Sequence, residues 1–466
     1  MNPSENLSKL VFDPGLIRRY NVSGPRYTSY PTALQFSEFS QSDLGQAIRS
    51  SSNKDKDLSV YVHIPFCATL CYYCACNKIV TRKRQPAVEY LELLQHEIEL
   101  VSSLFENRVV SQLHWGGGTP TFFEDEQIQQ LMGSINNAFD FRGDDEGEFS
   151  IEIDPRTVDP DRIRHLRECG FNRLSFGIQD FDSKVQKAVN RVQSYEQTEV
   201  AIKSARQYGF RSVSVDLIYG LPHQSVESVA RTLKQVITLS PDRISIYNYA
   251  HLPERFSPQK RILVSDMPSP DEKLEILQLC IETLTASEYV YIGMDHFAKP
   301  DDELAIAQRE GTLQRNFQGY STRSDCDLIA FGITGISQIG NTYCQNVKEL
   351  DQYRTLLGQG RIPVEKGVVI DADDLIRKKV IKSLICQFEL SYGEVNREFG
   401  IDFQTYFASG LDSLRPMVAD ELLRLDRDGI TVTQQGRLLI RNICMVFDRY
   451  LQQQSASSTP RYSRAI

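Results

Sequence analysis

The chain has 466 residues, enough for a large core and more than one domain, and its composition is ordinary for a globular protein. Its net charge of −9 argues against a broad electrostatic surface for nucleic acid, so no nucleic-acid partner is expected. No stretch approaches an apolar membrane span, and Met1 to Arg19 lack the apolar core of a secretory signal, so a cytoplasmic protein with no membrane partner is expected.

Residues 1–55 are predicted to form an extended N-terminal arm. Within this arm, Gly24–Thr32 contains two prolines and no helical period, so a loop with defined turns is expected. The rest of the chain is predicted to form a central domain with its extension over residues 56–365, and a mainly helical domain over residues 366–466.

The central region alternates strand-like and helix-like segments, a pattern typical of a parallel sheet covered by helices. Its predicted strands are Leu58–Ile64, Val109–Trp115, Phe149–Ile153, Arg173–Ile178, Ser212–Ile218 and Arg243–Tyr249. Its predicted helices are Pro86–Phe105, Glu126–Phe139, Asp161–Cys169, Glu196–Tyr208 and Val226–Leu239. Six units are too few for a closed eight-fold barrel, so the predicted fold class is α/β, with an open or partial (β/α)6-type barrel.

The pattern changes after Leu252. A long helix is predicted over Pro270–Ser287, and the apolar, glycine-rich segment Asp327–Gly340 is predicted to be close-packed. A helix capped by Asp371 begins the C-terminal domain. The later part of this domain is winged-helix-like, with helix, strand and helix predicted over Asp420–Leu425, Gly429–Thr433 and Arg437–Tyr450. Without a strong basic excess, this region is interpreted as a lid or packing module rather than a DNA-binding one.

Four of the ten cysteines lie close together, at Cys67, Cys71, Cys74 and Cys76. Three thiolates on one short loop can hold three irons of a four-iron, four-sulfur cluster, which normally takes four cysteines. A missing fourth ligand leaves one iron open to a small molecule. The spacing of Cys67, Cys71 and Cys74 therefore predicts a cluster with one open iron.

Two other interpretations of these cysteines are weaker. Cysteines at this spacing also share one face of a helix, but they follow a strand-like run and Pro65, which disfavours helix in the residue before it. A zinc site usually needs a second ligand pair, and the seven dispersed histidines do not supply one. The iron–sulfur cluster is therefore favoured over both.

Polar or glycine-rich segments follow the predicted strands at the end where ligands gather in parallel α/β folds. Each segment alone is a weak signal, because strand ends are polar by default and a glycine run also forms tight turns. Their recurrence at one end of the sheet predicts a binding site there. The segments are Gly116–Pro120, Glu152–Asp154, Gln179–Asp180, Asp216, Gly220–Pro222 and Asn248–Ala250.

Together these motifs resemble the radical S-adenosylmethionine (SAM) enzymes and, more closely, the oxygen-independent coproporphyrinogen III oxidases (dehydrogenases) of haem biosynthesis. The resemblance covers nearly the whole chain. One small departure is Ala75, where this family often has glycine. The distinctive segments are Pro25–Pro31, Tyr61–Cys67, His114–Pro120, Asp216–Pro222, Gly293–Phe297, Arg315–Tyr320 and Arg441–Cys444.

The resemblance implies that Cys67, Cys71 and Cys74 ligate a [4Fe–4S] cluster whose open iron takes SAM. A 5′-deoxyadenosyl radical would then remove hydrogen from propionates of coproporphyrinogen III, whose rings A and B gain vinyl groups. Cys76 matches the family's fourth cysteine, and could contribute to substrate chemistry or pack beside the cluster. The family binds two SAM molecules, and the positions that match its binding residues are Tyr61, Tyr73, Gly117, Gly118, Thr119, Glu152, Gln179, Arg191, Asp216, Ala250 and Ile336.

Two sets of arginines have alternative interpretations. From its sequence neighbours alone, Arg191 would be interpreted as a surface charge, whereas the resemblance implies that its guanidinium pairs with a carboxylate. Arg18, Arg19 and Arg26 in the N-terminal arm could meet substrate propionates or could form a structural clasp. The sequence favours neither interpretation of the arm.

The implied partners are coproporphyrinogen III as substrate and a low-potential electron donor such as flavodoxin or ferredoxin, and a monomer is expected. The main alternative is a haem chaperone on the same scaffold. That relative lacks counterparts of Cys76 and of the Pro25–Pro31 arm, and carries a His-Asn-x-x-Tyr-Trp motif that is absent here. A winged-helix regulator is opposed by the acidic charge balance.

Overall fold

The computed structural model describes residues 10–51, 55–105, 107–143, 146–323, 326–452 and 462. These residues form two units, each assembled from stretches that are distant in sequence. The sheet unit contains Phe36–Ile276 and Asp325–Val369, and the terminal unit contains Met1–Gln35, Leu277–Ser324 and Ile370–Ile466. The division into domains at residues 55 and 365 stays a prediction.

A row of parallel strands forms the centre of the sheet unit. In chain order these strands are Leu58–Ile64 (β1), Val109–Gly117 (β2), Glu148–Ile153 (β3), Arg173–Gln179 (β4), Ser212–Tyr219 (β5), Arg243–Asn248 (β6) and Asp327–Phe331 (β7). They are hydrogen-bonded in the order β7-β1-β2-β3-β4-β5-β6. Six of the seven were predicted, with ends that differ by at most two residues.

The sequence explains why these strands are central. Six of the seven residues of β1 are buried, as expected for a strand with covered faces on both sides. Trp115 of β2 is fully buried and packs edge-on against Phe171, with ring centroids 5.1 Å apart. Strand β7 was missed, because its five residues lie within a glycine-rich segment whose strand signal is short.

Helices connect the parallel strands as predicted. Their starts carry capping residues, since the Ser194 and Ser225 side chains accept hydrogen bonds from backbone N–H groups of the first turn. The helices of the sheet unit are Gln41–Ser50, Gln85–Ser102, Asp125–Ala138, Pro160–Glu168, Ser183–Ala188, Tyr195–Gln207, Val226–Leu239, Pro270–Ala286 and Leu350–Gly358. Of these, Pro270–Ala286 continues past the boundary of the unit at Ile276.

Antiparallel strands extend the sheet beyond β7. The order continues from β7 through Ile336–Ile339, Thr342–Asn346 and Val364–Val369 to Ser37–Glu38. Three further strands of two residues complete the unit. Phe66–Cys67 and Ile79–Val80 pair with each other, and Asp140–Phe141 pairs with β2. Short 3₁₀ turns occur at Pro120–Phe122, Pro155–Thr157, Ser257–Arg261 and Val264–Asp266.

The terminal unit is mainly helical, which confirms the predicted α/β class with a helical C-terminal region. Its helices are Pro14–Tyr20, Glu303–Arg309, Ala372–Gln387, Tyr392–Phe399, Phe403–Tyr406, Ala408–Ala419, Ile440–Met445 and Arg449–Gln452, with 3₁₀ turns at Ala33–Gln35 and Gly436–Leu439. Two hairpins join Val290–Gly293 with His296–Ala298 and Gln314–Asn316 with Gly319–Ser321. A three-stranded sheet contains Glu389–Ser391, Gly429–Val432 and Leu423–Leu425.

Two local predictions are wrong. The N-terminal arm is not extended throughout, because the side chains of Asp13 and Ser40 cap the helices Pro14–Tyr20 and Gln41–Ser50. The predicted helix Asp420–Leu425 contains instead the strand Leu423–Leu425, since Leu423 is buried in register opposite Val432. Among the helices that the structure describes, none combines the length and hydropathy needed to cross a bilayer.

Candidate functional site

A cavity of about 460 Å³ lies at the carboxyl ends of the parallel strands of the sheet unit. Twelve of the fifteen predicted site residues line it: Cys67, Cys71, Tyr73, Cys74, Cys76, Gly117, Gly118, Thr119, Glu152, Gln179, Arg191 and Asp216. The exceptions are Tyr61, Ala250 and Ile336. The strand ends therefore bring most of the predicted site into one place.

Backbone hydrogen bonds fix both ends of the cysteine loop close to the end of β1. On entry, the N–H groups of Gly118 and Thr119 donate to the carbonyl oxygens of Ile64 and Phe66, both at 2.8 Å. On exit, the N–H of Ile79 donates to the carbonyl oxygen of Pro65 at 2.7 Å. These backbone hydrogen bonds thus hold the cysteine loop at the carboxyl end of β1.

Two cysteine sulfurs receive hydrogen bonds from side chains of other segments. Thr119 Oγ1 donates to Cys67 Sγ at 3.6 Å, and Arg191 Nη1 donates to Cys71 Sγ at 3.6 Å. Burial raises the pKa of Cys67 to about 11, and the Thr119 hydrogen bond opposes this effect. Donors at the sulfurs stabilise thiolates and tune the potential of an iron–sulfur cluster.

Cys74 lies beside Cys76 and Lys78. A hydrogen bond from the Cys76 side chain and the charge of Lys78 lower the pKa of Cys74 to about 6, although burial opposes this shift. Lys78 Nζ also donates to the carbonyl oxygens of Cys74 and Cys76 at 3.0 and 3.3 Å. Ala75 between them is exposed and has no positive φ, so its methyl group is tolerated.

The chemistry of this donor set fits a cluster with three protein thiolates. Among the described residues, no three His, Cys, Asp or Glu side chains converge closely enough to hold a single metal ion. A cubane does not need such convergence, because each cysteine binds a different iron. Three thiols spread over one cavity wall are therefore better suited to a cluster than to zinc.

Two glycines at the end of β2, Gly117 and Gly118, are required by close packing. A Cβ on Gly117, whose φ is 112°, would lie 2.6 Å from the His63 ring, and one on Gly118 would lie 2.6 Å from the backbone of Pro65. The N–H of Gly117 donates to Glu152 at 3.3 Å. A ligand amino group, which is itself a donor, would have to bond to carbonyl oxygens of this segment.

Two carboxyl groups in the cavity have opposite pKa shifts. Burial tends to raise the pKa of Glu152, but hydrogen bonding and charge from His114, 3.2 Å away, lower it overall. Burial and the charge of Glu152 raise the pKa of Asp216 to about 7, against hydrogen bonds from Ser245 and Ser175. Near neutral pH the pair can offer both an ionised acceptor and a protonated donor to ligand hydroxyls.

The three predicted residues outside the cavity lining have different positions. Tyr61 stacks on His114 with ring centroids 5.9 Å apart, and its hydroxyl bonds His63 Nδ1 at 3.1 Å, so it supports the histidine that holds Glu152. Ala250 follows the end of β6. Ile336 begins the antiparallel strand Ile336–Ile339. The cavity lining does not place the last two at the site.

Arg191 is 7% exposed, so its interpretation as a surface charge is wrong. Its guanidinium pairs with Asp154 Oδ2 at 3.0 Å and donates to the carbonyl oxygen of Gly177 at 2.5 Å. Asp154 also pairs with Arg156 at 2.6 Å. Burial opposes the charged form, but Tyr73 and Asp154 raise the pKa of Arg191 overall.

Gln179 ends β4 with a left-handed backbone at φ 69°, next to a bulge in its pairing with β5. Such strain in a residue other than glycine is common at functional sites. Gln179 Oε1 and Arg191 Nε are buried and have no hydrogen-bond partner among the described residues. These orphaned atoms, together with the cavity volume, fit a polar ligand of the size and chemistry of SAM.

Several lining residues were not among the predicted site residues, including Lys78, Asp154, Arg156, Ser175 and Tyr247. Asp154 had a signal in the sequence, since it lies two residues after Glu152 at the same strand end. Lys78 and Arg156 had none, because a single cation in a loop carries no pattern.

Comparisons with known proteins agree with this geometry. Residues 61–236 match the Radical SAM superfamily, and residues 370–439 match the HemN C-terminal domain. The oxygen-independent coproporphyrinogen III oxidase of Pseudomonas aeruginosa is 52% identical over 462 residues, covering 99% of this chain and 100% of that protein. The protein of the same name from Escherichia coli is 51% identical, with the same coverage.

A solved structure extends the similarity to three dimensions. It is described as "Coproporphyrinogen III oxidase (HemN) from Escherichia coli is a Radical SAM enzyme" and shares 51% identity with a TM-score of 0.90. The alignment covers 95% of this chain and 99% of that chain. The expected radical SAM fold is thereby confirmed. Full-length relatives named as oxidases give no support to the haem-chaperone alternative.

Proposed function

The chain belongs to the family of oxygen-independent coproporphyrinogen III oxidases, and on that premise we propose that it converts coproporphyrinogen III to protoporphyrinogen IX in haem biosynthesis. The reaction is the oxidative decarboxylation of the ring A and ring B propionates to vinyl groups. The observation that carries the proposal is the cavity that brings Cys67, Cys71 and Cys74 together with Gly117 and Glu152.

The cofactors of this reaction are a [4Fe–4S] cluster and SAM, with two SAM molecules per chain. Cys67, Cys71 and Cys74 would hold the cluster. Bound together, these cofactors supply hydrogen-atom abstraction from a propionate β-carbon, after which carbon dioxide and one electron leave and a vinyl group remains. The protein orients the cofactors and keeps out competing reactions.

The residues that line the cavity have separate tasks in this proposal. Arg191 offers its unpartnered Nε–H group to a carboxylate of SAM, and its pair with Asp154 holds the guanidinium in place. Glu152 and Asp216 bond to ribose hydroxyls, and backbone carbonyl groups near Gly117 accept from the methionine amino group. Tyr73 forms an aromatic side of the cavity, and its ring packs against a group of buried apolar residues that includes Leu221, Tyr249 and Ile262.

Cys76 is proposed to contribute to substrate chemistry rather than to ligate iron. Its side chain lies on the cavity wall beside Cys74 and is exposed, and its hydrogen bond to Cys74 raises the pKa of its thiol well above the usual value. A protonated thiol is a poor metal ligand and a ready donor of hydrogen.

The remaining partners are also part of the proposal. A low-potential electron donor such as flavodoxin or ferredoxin would reduce the cluster, because reduction of a sulfonium requires a low potential. The protein is proposed to act as a cytoplasmic monomer without nucleic-acid or membrane partners, in keeping with its acidic charge.

An anaerobic assay tests the function. Reconstituted protein, a strong reductant, SAM and coproporphyrinogen III are expected to give the divinyl product, detected by chromatography after oxidation to the porphyrin. Cys71→Ala should lose bound iron, sulfide and product together. Cys169→Ala, which removes a half-buried thiol outside the site, should retain all three. Haem binding without decarboxylation would instead support the chaperone alternative.

A further inference from the structure

Arg156 is a cation of the cavity wall to which the proposed function gives no task. It lies in the 3₁₀ turn Pro155–Thr157, directly after the end of β3. It is half-buried and lines the same cavity as Cys67, Cys71 and Cys74, within the sheet unit. Its guanidinium therefore belongs to the candidate site itself.

One edge of the Arg156 guanidinium is fixed by Asp154. Nε of Arg156 donates to Asp154 Oδ1 at 2.9 Å, and Nη2 donates to Oδ2 at 2.6 Å. The backbone N–H of Arg156 also donates to Oδ1, at 3.1 Å. Because Nε and Nη2 share one edge of the planar group, this bidentate pair sets the direction of the whole guanidinium.

The end of the same guanidinium is open. Nη1 of Arg156 has no hydrogen-bond partner in the part of the chain that the structure describes, and Nη2 has none there besides Asp154. One N–H of Nη1 and the second N–H of Nη2 lie side by side and form a fork that matches the two oxygens of a carboxylate. Since Asp154 already orders the side chain, a ligand that binds this fork loses less affinity to side-chain ordering.

Asp154 is shared between two arginines. Its Oδ2 also accepts a hydrogen bond from Arg191 Nη1 at 3.0 Å. Burial tends to raise the pKa of Asp154, but Arg191 and Arg156 lower it overall, so its carboxyl group is ionised. Two guanidinium groups against one carboxylate leave one net positive charge in this part of the wall, which favours a bound anion.

We propose that the open edge of Arg156 binds a carboxylate of a ligand in the cavity. This inference rests on the proposed function, which brings two ligands with carboxylates to the protein: SAM, through its methionyl group, and coproporphyrinogen III, through its propionates. Arg191 has one buried nitrogen without a partner among the described residues, its Nε, whereas Arg156 offers a fork of two N–H groups. Arg156 is therefore the better suited of the two to bidentate binding.

The chemistry limits which carboxylate Arg156 holds. A guanidinium fork stabilises a carboxylate anion more than neutral carbon dioxide, so it would slow the decarboxylation of a group that it binds. Arg156 therefore suits the carboxylate of SAM, or a propionate that is not lost while it is bound. In either case, binding energy from a group that does not react orients the part of the ligand that does.

The test uses two pairs of ligands that differ in their carboxylates. SAM is compared with decarboxylated SAM, and coproporphyrinogen III is compared with its tetramethyl ester. Anaerobic titrations of the reconstituted protein, without a reductant, give the four dissociation constants. Arg156→Met should weaken binding of the carboxylate form in one pair by roughly 10- to 100-fold, and of its matched form by less than about two-fold. The affected pair identifies the source of the carboxylate.

Arg142→Met is the matched control. Arg142 forms the same side-on pair, with Nε and Nη2 each 3.0 Å from the carboxylate of Asp57, and lies outside the cavity lining of the same unit. It should leave all four constants unchanged. Arg156→Lys keeps the charge without the fork and should lie between Arg156→Met and the unmodified protein. It carries the test if Arg156→Met fails to fold, as judged by thermal unfolding and cluster content.

A double variant separates direct binding from an effect that passes through Arg191. If Arg156 contacts the ligand, Arg156→Met should also weaken binding of the carboxylate form when it is introduced into Arg191→Met. If it caused no further loss there, Arg156 would act only by positioning Arg191, and the proposed contact would be wrong.

Other outcomes would also overturn the inference. Equal losses of affinity for the two members of a pair would assign Arg156 a structural role, and four unchanged constants would remove it from the binding site. An unmodified enzyme that bound both carboxylate ligands but formed no vinyl product would contradict the proposed function while leaving the assignment of Arg156 standing. The two proposals therefore fail in distinguishable ways.

Discussion

Three side chains from separate segments surround the cysteine sulfurs and set their electrostatic environment. Thr119 and Arg191 donate to Cys67 and Cys71, and the charge of Lys78 acts on Cys74. Positive charge and hydrogen bonds at thiolates favour the reduced, more negative form of a cluster. In the proposed site, these three groups would therefore ease the reduction of a bound cluster.

Lys78→Met tests this electrostatic role. Loss of the ammonium group, which bonds to the carbonyl oxygens of Cys74 and Cys76, should lower the cluster's reduction potential by on the order of 50 mV. The measurement is a redox titration followed by electron paramagnetic resonance. Lys83→Met, at an exposed position of the following loop, should leave the potential unchanged. A potential that stays constant in Lys78→Met would show that the ammonium does not act on the cluster.

At the scale of elements, the site depends on how closely the end of β2 approaches the cysteine loop. Gly118 makes this approach possible, because its N–H donates to Ile64 and no side chain separates it from Pro65. The glycine run, predicted as a surface for a ligand, is thus first a packing surface for another part of the protein.

Gly118→Ala should disrupt this contact. The added Cβ would lie 2.6 Å from the Pro65 carbonyl carbon and 2.7 Å from the Phe66 oxygen, so the cysteine loop must move. Most of the bound iron and sulfide should be lost after reconstitution. Gly133→Ala, in the helix Asp125–Ala138 with nothing within 4 Å of the new Cβ, should keep the cluster and gain up to about 1 kcal/mol of helix stability. Normal cluster content in Gly118→Ala would contradict this account.

At the scale of the whole molecule, buried polar side chains join segments that are far apart in sequence. Within the sheet unit, Glu97 of the helix Gln85–Ser102 accepts hydrogen bonds from the N–H of Gly332, the amide of Asn346 and the hydroxyl of Tyr353, at 2.7, 2.6 and 2.5 Å. Burial raises the pKa of Glu97 from 4.5 to about 7, although all three hydrogen bonds oppose this shift.

This pKa shift makes stability depend on pH. Between pH 4.5 and 7 the folded protein retains a proton that the unfolded chain releases, so the free energy of unfolding falls as pH rises. The loss attributable to Glu97 is at most roughly 3 kcal/mol and is complete above pH 7. Urea midpoints under nitrogen should therefore fall less with pH in Glu97→Gln than in the unmodified protein. Glu92→Gln, at an exposed position of the same helix, is the control, and its urea midpoints should change with pH as those of the unmodified protein do. If the midpoints of Glu97→Gln also changed with pH as those of the unmodified protein do, Glu97 would not be the source of the effect.

Some of this site could be predicted because its signals are local. The cysteine spacing and the alternation of β1 to β6 with helices lie within short stretches, where periodicity and turn residues decide the structure. The same reasoning failed at β7 and at Leu423–Leu425, since a short strand is specified by its partner as much as by its own residues. It also failed for Arg191, whose sequence neighbours do not reveal its burial.

The sequence by itself determined the chemistry of the protein, since a cluster motif and a full set of family segments are read from residue types and spacing alone. Only the tertiary structure decided which charges are paired and which are left for ligands. Arg191 is buried and paired with Asp154 through Nη1, while its Nε has no partner among the described residues, and no local pattern in the sequence reveals either fact. The physical reason is that burial and hydrogen-bond partners arise from segments that meet only when the chain folds.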